Sequence, residues 1–140
     1  MKSSEMREGG CLCGAVRYRL TGPVAPSVHC HCTMCRRASG APVVTWLTVP
    51  SAGFAVIKGA LKTRASSSHG ARGFCPACGA QMTFVTSRRP DDVDVSVGTL
   101  DKPEDHPPRH HIWTSSRLSW LHLDEHLPDY PESSPGEDGP

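Results

Sequence analysis

Seven cysteines gathered into three tight clusters constrain this chain more than any other feature. They read Cys11-Leu12-Cys13, Cys30-His31-Cys32-Thr33-Met34-Cys35 and Cys75-Pro76-Ala77-Cys78. Each lies within three positions of another, so none reads as a stray core thiol. An odd number leaves one sulfur over in any pure disulfide framework. Short C-x-C and C-x-x-C loops instead suit a tetrahedral thiophilic metal, above all Zn²⁺, although thiolate sets also accept iron. A closed structural zinc takes four protein ligands; a catalytic zinc takes three and keeps one position open. Seven divides into four plus three, which predicts two zinc ions per chain.

The 140 residues suit one domain with a modest core. Apolar residues make up 37%, low enough that metal clips would help to hold the fold. Thirteen glycines and thirteen prolines argue against long helices and for short strands joined by turns. With a net charge of +1, nothing global steers the chain to a membrane, and nucleic acid is not an expected partner. No apolar run approaches the roughly 18 residues of a spanning helix. The polar N-terminal segment has no signal-peptide apolar region, so the expected compartment is the reducing cytoplasm, where clustered thiols read as metal ligands.

Residues 15–20 (AVRYRL) alternate and end at a Thr-Gly-Pro turn, which predicts a strand. The 23–26 loop delivers His29 and the central cluster, and 33–39 predicts a short helical turn stopped by Gly40. Segments 43–49 and 54–57 are β-rich, and the Pro50-Ser51-Ala52-Gly53 link between them resembles a hairpin turn. A weaker strand at 60–65 and a polar loop at 66–73 lead to the third cluster. Strands follow at 81–86 and 93–97, then a proline-rich loop at 101–108 and an extended segment at 110–113. Residues 129–140 have the composition of a disordered tail. The expected fold class is mainly β, a single compact zinc-bound antiparallel β domain with short helical turns. It would span 5–131, with 132–140 as a disordered C-terminal tail.

In Cys75-Pro76-Ala77-Cys78-Gly79, two cysteines three apart face one metal if the chain turns sharply between them. Pro76 pre-sets φ for that turn and Gly79 permits the left-handed residue after it. The competing reading is a redox C-x-x-C, whose βαβ context is missing here. Cys11 and Cys13, flanked by Gly10 and Gly14, follow the same logic, and the two knuckles together would make a closed Cys₄ site. Cys30, Cys32 and Cys35 place three thiolates in six residues and leave Zn²⁺ one open position. Alternatively, His29, His31 or another histidine closes that site as structural Cys₃His. Spacing alone also allows Cys11, Cys13, Cys30 and Cys32 to form the four, leaving Cys35, Cys75 and Cys78.

These motifs resemble the glutathione-dependent formaldehyde-activating enzyme family, also called centromere-protein-V-like. The resemblance rests on G-x-C-x-C-G at 9–14, C-H-C-x-x-C-R-R at 30–37 and F-C-x-x-C-G at 74–79. It continues with H-I-W at 111–113 and D-x-x-L-P-x-Y-P at 124–131. The resemblance implies a mainly antiparallel β fold with a structural zinc on Cys11, Cys13, Cys75 and Cys78. A labile catalytic zinc would sit on Cys30, Cys32 and Cys35. The implied activity is carbon–sulfur lyase chemistry, run as condensation of formaldehyde with glutathione. Its partners would then be a small thiol and an aldehyde.

Arg36 and Arg37 are candidates for meeting a ligand carboxylate, or simply solvated helix residues. His29 and His31 are candidate proton shuttles or hydrogen-bonded loop residues. Trp46, Trp113 and Trp120 are expected to fill the core or cap a pocket. The competing functional class is a zinc-stabilised binding module, for which Arg36–Arg37 and Arg88–Arg89 give some support.

Overall fold

Frequent Gly and Pro break the chain into short strands, and those strands form two sheets in the computed structural model, which describes residues 6–136. Strands β1 (Arg7–Gly10), β2 (Arg17–Leu20), β3 (Ser27–Cys30), β4 (Val44–Pro50) and β5 (Phe54–Lys58) come first. Then follow β6 (Lys62–Ala65), β7 (Gly70–Phe74), β8 (Gln81–Thr86), β9 (Asp92–Ser96) and β10 (Pro108–Ile112). The small sheet has the order β1-β2-β5, the large one β10-β3-β4-β9-β8-β7-β6. The domain is mainly β, and every strand pair is antiparallel except β3–β10. A parallel pair needs a long crossover. Most of the chain separates these two strands, so that requirement is met.

Helix α1 (Thr33–Ser39) ends where Gly40 turns left-handed at φ 73° and returns its N–H to the Arg36 carbonyl at 2.8 Å. The expected hairpin at 50–53 does not form. That link is a 3₁₀ turn (Ser51–Gly53) carrying the chain from one sheet to the other: β5 pairs with β2, whereas β4 pairs with β3 and β9. Thr21 N–H donates to the Gly53 carbonyl at 2.8 Å and seats the crossing. Alternation identifies strands but does not say which sheet each joins.

Both faces of β4 are buried because the large sheet is covered on both sides. On one face Leu47 and Val49 join Val95, Met82 and Leu100 against Val16, Tyr18 and Leu20 of the small sheet's hairpin. Full burial of residues such as Leu20 and Leu47 stabilises by roughly 1.5–3 kcal/mol each. On the other face Val44 and Trp46 pack with Phe84 and the three central cysteines, with Met34, Ile112 and Trp113 at the edge. Trp46 and Trp113 thus fill this second core as expected. Trp120 does not; it is 64% exposed.

The C-terminal segment docks along β10. Tyr130 N–H donates to the His111 carbonyl at 2.9 Å and Trp113 N–H to the Glu132 carbonyl at 2.8 Å. Arg117 pairs with Asp129 at 2.7 Å. Its tail-like composition therefore does not keep residues 129–134 off the body of the protein. Residues 137–140, the end of the expected disordered tail, lie outside the described residues.

Candidate metal centres

Two turns from different sheets bring four sulfurs together. The β1–β2 hairpin turn carries Cys11 and Cys13, and the β7–β8 turn carries Cys75 and Cys78. Each turn is a knuckle whose amides face its first sulfur. Val16 N–H donates to Cys11 Sγ at 3.3 Å; Ala77 and Cys78 N–H donate to Cys75 Sγ at 3.3 and 3.4 Å. Gly14 at φ 80° and Gly79 at φ 81° supply the left-handed residues that close these turns. The Val16 amide, more than any other group, pulls the Cys11 thiol down to about 6, while sharing protons with its neighbours pushes Cys13 up to about 11 despite the Ala15 amide. The Ala80 and Cys13 amides lower Cys78.

The second cluster is local. Cys30 ends β3, Cys32 caps α1 and Cys35 lies one turn into it, and all three are buried. Hydrogen bonds from Cys30 and Cys35, followed by the Cys35 and Met34 amides, hold Cys32 at about 2. Cys30 rises well above an ordinary thiol because it keeps its proton to donate hydrogen bonds to Cys32 and Cys35, and because it is buried.

Both sets fit a tetrahedral thiophilic ion. With metal–sulfur bonds of about 2.3 Å, the edges of a tetrahedron are about 3.8 Å. Cys11–Cys13 and Cys13–Cys75 are 3.7 and 3.8 Å apart, and Cys30–Cys35 is 3.6 Å. All are far beyond a disulfide bond of about 2.0 Å. Four ligand atoms in one set and three in the other lie within 4.8 Å of one another. The alternative partition, Cys11 and Cys13 with Cys30 and Cys32, is not what the fold makes. Among the described residues no histidine joins the three-sulfur set, so the Cys₃His reading also fails.

The histidines beside that set have their own partners. His29 Nδ1 meets Thr45 Oγ1 and its Nε2 meets Asp124 Oδ2, both at 2.8 Å; burial outweighs the carboxylate and lowers its pKa. His31 Nε2 lies 2.9 Å from His111 Nδ1, and His111 Nε2 donates to the Asp124 carbonyl at 3.0 Å. With that carbonyl accepting from Nε2, a neutral His111 offers Nδ1 as the acceptor for His31 Nε2. Burial, with Arg117 and the other histidines, pushes His31 down to about 4. Both histidines tie β3 to β10 and the 124 turn rather than reaching the sulfurs.

Arg36 is half-buried and Arg37 exposed in the last turn of α1, and Arg89 is held by Asp94 at 2.7 Å. The guanidinium that does reach a central sulfur is Arg72, unremarked in the sequence. From β7 its Nη1 donates to Cys35 Sγ at 3.5 Å, and its Cζ lies 4.7 Å from the centre of the Phe84 ring. Only strand pairing brings it there.

Two sulfur sets dimensioned for metal ions, one clipping two sheets together and one held in a single loop, define a small thiolate-rich β protein. The chain belongs to the glutathione-dependent formaldehyde-activating enzyme family, whose model matches residues 6–116. A protein of Halomonas elongata, provisionally named a glutathione-dependent formaldehyde-activating enzyme, is 28% identical over 144 aligned residues, covering 93% of this chain and 92% of that one. A crystal structure of a Rhodobacter sphaeroides protein shares the fold. Its TM-score is 0.57 at 20% identity, covering 88% of this chain and 98% of that chain. No helix among the described residues is long and apolar enough to cross a membrane.

Proposed function

We propose that this protein is a zinc-dependent carbon–sulfur lyase of the cytoplasm, joining a small glutathione-like thiol to formaldehyde or a similar aldehyde and reversing that step. Cys11, Cys13, Cys75 and Cys78 would hold a structural Zn²⁺, and Cys30, Cys32 and Cys35 an exchangeable catalytic one. The observation that carries this reading is the buried three-sulfur set, spaced for a tetrahedron and lacking a fourth protein ligand among the described residues. When bound there, Zn²⁺ favours the thiolate form of a thiol taking its fourth position.

The chain's own residues do the rest. Trp46, Phe84 and Val44 surround the sulfurs and limit water around a reactive aldehyde. Arg72 sets a positive charge against Cys35, offsetting part of the excess negative charge of three thiolates. In the reaction the thiol loses its S–H proton, a carbon–sulfur bond forms, the carbonyl π bond breaks, and its oxygen takes up a proton. The product is a hydroxymethyl thioether.

The test is carbon-13 NMR of labelled formaldehyde with glutathione and zinc-loaded protein. Adduct should form faster than in buffer, and Cys32→Ser should return the rate to background. No acceleration with glutathione or any of several other small thiols would end this proposal.

A further inference from the structure

Arg72, whose guanidinium reaches Cys35, lines a cavity of about 360 Å³ walled also by Ala38 of α1, Arg64 of β6, Ser66, Phe74 of β7 and Gln81 of β8. Its lining holds two arginines and no carboxylate. Arg72 is only 5% exposed, yet its Nε and Nη2 are buried without a partner, and so is Ser66 Oγ on the same wall. A buried charged group with unmade hydrogen bonds is costly. Moreover, Arg64 and Arg72 stand directly opposite each other in the β6–β7 register. Like charges in that relation repel and destabilise the pair.

The unsatisfied atoms have a specific shape. Nη1 of Arg72 is committed to Cys35 at 3.5 Å. Nε and Nη2 share the opposite edge of the planar guanidinium, where their two N–H bonds run parallel. That edge matches the two oxygens of a carboxylate. We propose that this cavity is a carboxylate subsite for the thiol substrate, with Arg72 as its side-on anchor and Ser66 and Arg64 as flanking donors. One guanidinium would then face the protein sulfur on one edge and the substrate carboxylate on the other. The favoured substrates are therefore thiols that carry a carboxylate, and cationic aminothiols or neutral alcohol thiols are disfavoured. The proposal rests on the thiol-and-aldehyde reading above. By contrast, a hollow of about 230 Å³ lined by Arg7, Glu8, Asp101, Lys102 and His106 mixes both signs of charge.

The test uses S-methylglutathione, whose sulfur cannot become a thiolate, and its dimethyl ester, which lacks both carboxylates. Calorimetry on zinc-loaded protein should show the acid binding at least about tenfold more tightly than the ester, as expected for a charge-assisted bidentate pair. Arg72→Gln should abolish that preference, weakening the acid by more than the ester. Arg72→Lys, which keeps a charge near Cys35 but loses the fork, should also abolish it with zinc content unchanged. Arg64→Gln, on the exposed side of the cavity, should narrow it. If Arg72→Gln does not fold, Arg72→Lys and Arg64→Gln decide.

Acid and ester binding alike, or no binding of S-methylglutathione, would overturn the proposal. So would sulfate competing as well as the acid itself, which would mark a site for any small anion. The Cys32→Ser protein should keep the preference without its exchangeable ion. Persistence of the preference in a protein without catalysis would sink the catalytic reading and leave the subsite standing.

Discussion

Removing one sulfur from each cluster should separate the two centres by what each holds together. Cys13 and Cys75 meet across 62 positions of chain, whereas Cys30 and Cys35 are only 5 apart. In the chain-entropy treatment of a cross-link, closing a loop of the first size is worth about 4 kcal/mol and of the second about 2 kcal/mol. A three-cysteine loop this short can also keep its ion after unfolding, which weakens its linkage to the folded state. Cys75→Ser should therefore cost at least about 2 kcal/mol more than Cys32→Ser, or about 7 °C in unfolding midpoint for a domain of this size. Circular dichroism melts with zinc analysis on the same samples would measure both effects. The unaltered protein should hold about two zinc ions, falling to about one under a mild chelator while the melt stays cooperative. Cys32→Ser should hold about one from the outset, and Cys75→Ser should aggregate or melt far earlier. Equal destabilisation by the two substitutions would refute the reasoning, as would loss of both ions together with the fold.

Glycine substitutions should divide by mechanism in the same melts. Gly79→Ala meets no neighbouring atom but forces a side chain to φ 81°, costing about 1–2 kcal/mol. Gly73→Ala would run its Cβ into Thr83 Oγ1 and should cost more. Alkaline unfolding should report on Tyr18, fully buried and pushed up to about 12 by that burial, with its hydroxyl 2.7 Å from Thr99 Oγ1. The unfolded phenol ionises near 10, so stability stays full below that pH and is lost as pH rises from 10 through about 12, by up to about 2.7 kcal/mol. Tyr18→Phe should flatten that limb in pH-dependent denaturant titrations, and an unchanged slope would count against it.

Much of the fold was legible where local chemistry decides it. α1 falls at 33–39 because Gly40 supplies a left-handed stop, and β8 at 81–86 follows the knuckle and its alternation. β1, β3 and β7 were not legible. Arg7–Gly10 has no apolar side chain, and Gly70–Phe74 reads as a polar loop until its neighbours are present. There Gly73 is needed because Thr83 Oγ1 occupies the space a side chain would take, a contact made only by strand pairing.

The same division runs through the candidate site. Seven cysteines at C-x-C, C-H-C-x-x-C and C-x-x-C spacing determined by themselves that the chain would gather sulfurs in local turns, and they carried the resemblance to the family. Thiolate chemistry and short chelate loops act over a few residues, so sequence holds that information. Only the tertiary structure decided that the first and third turns meet, because their encounter depends on two sheets packing across one core. Only it decided that His29 and His31 turn to Thr45, Asp124 and His111 rather than to the sulfurs. Arg72 shows the reason most plainly. In sequence it is one arginine among glycines and alanines; register alone sets it opposite Arg64, against Phe84 and within reach of Cys35. Register is fixed by how whole strands bury their faces, a long-range property that no short stretch of residues encodes.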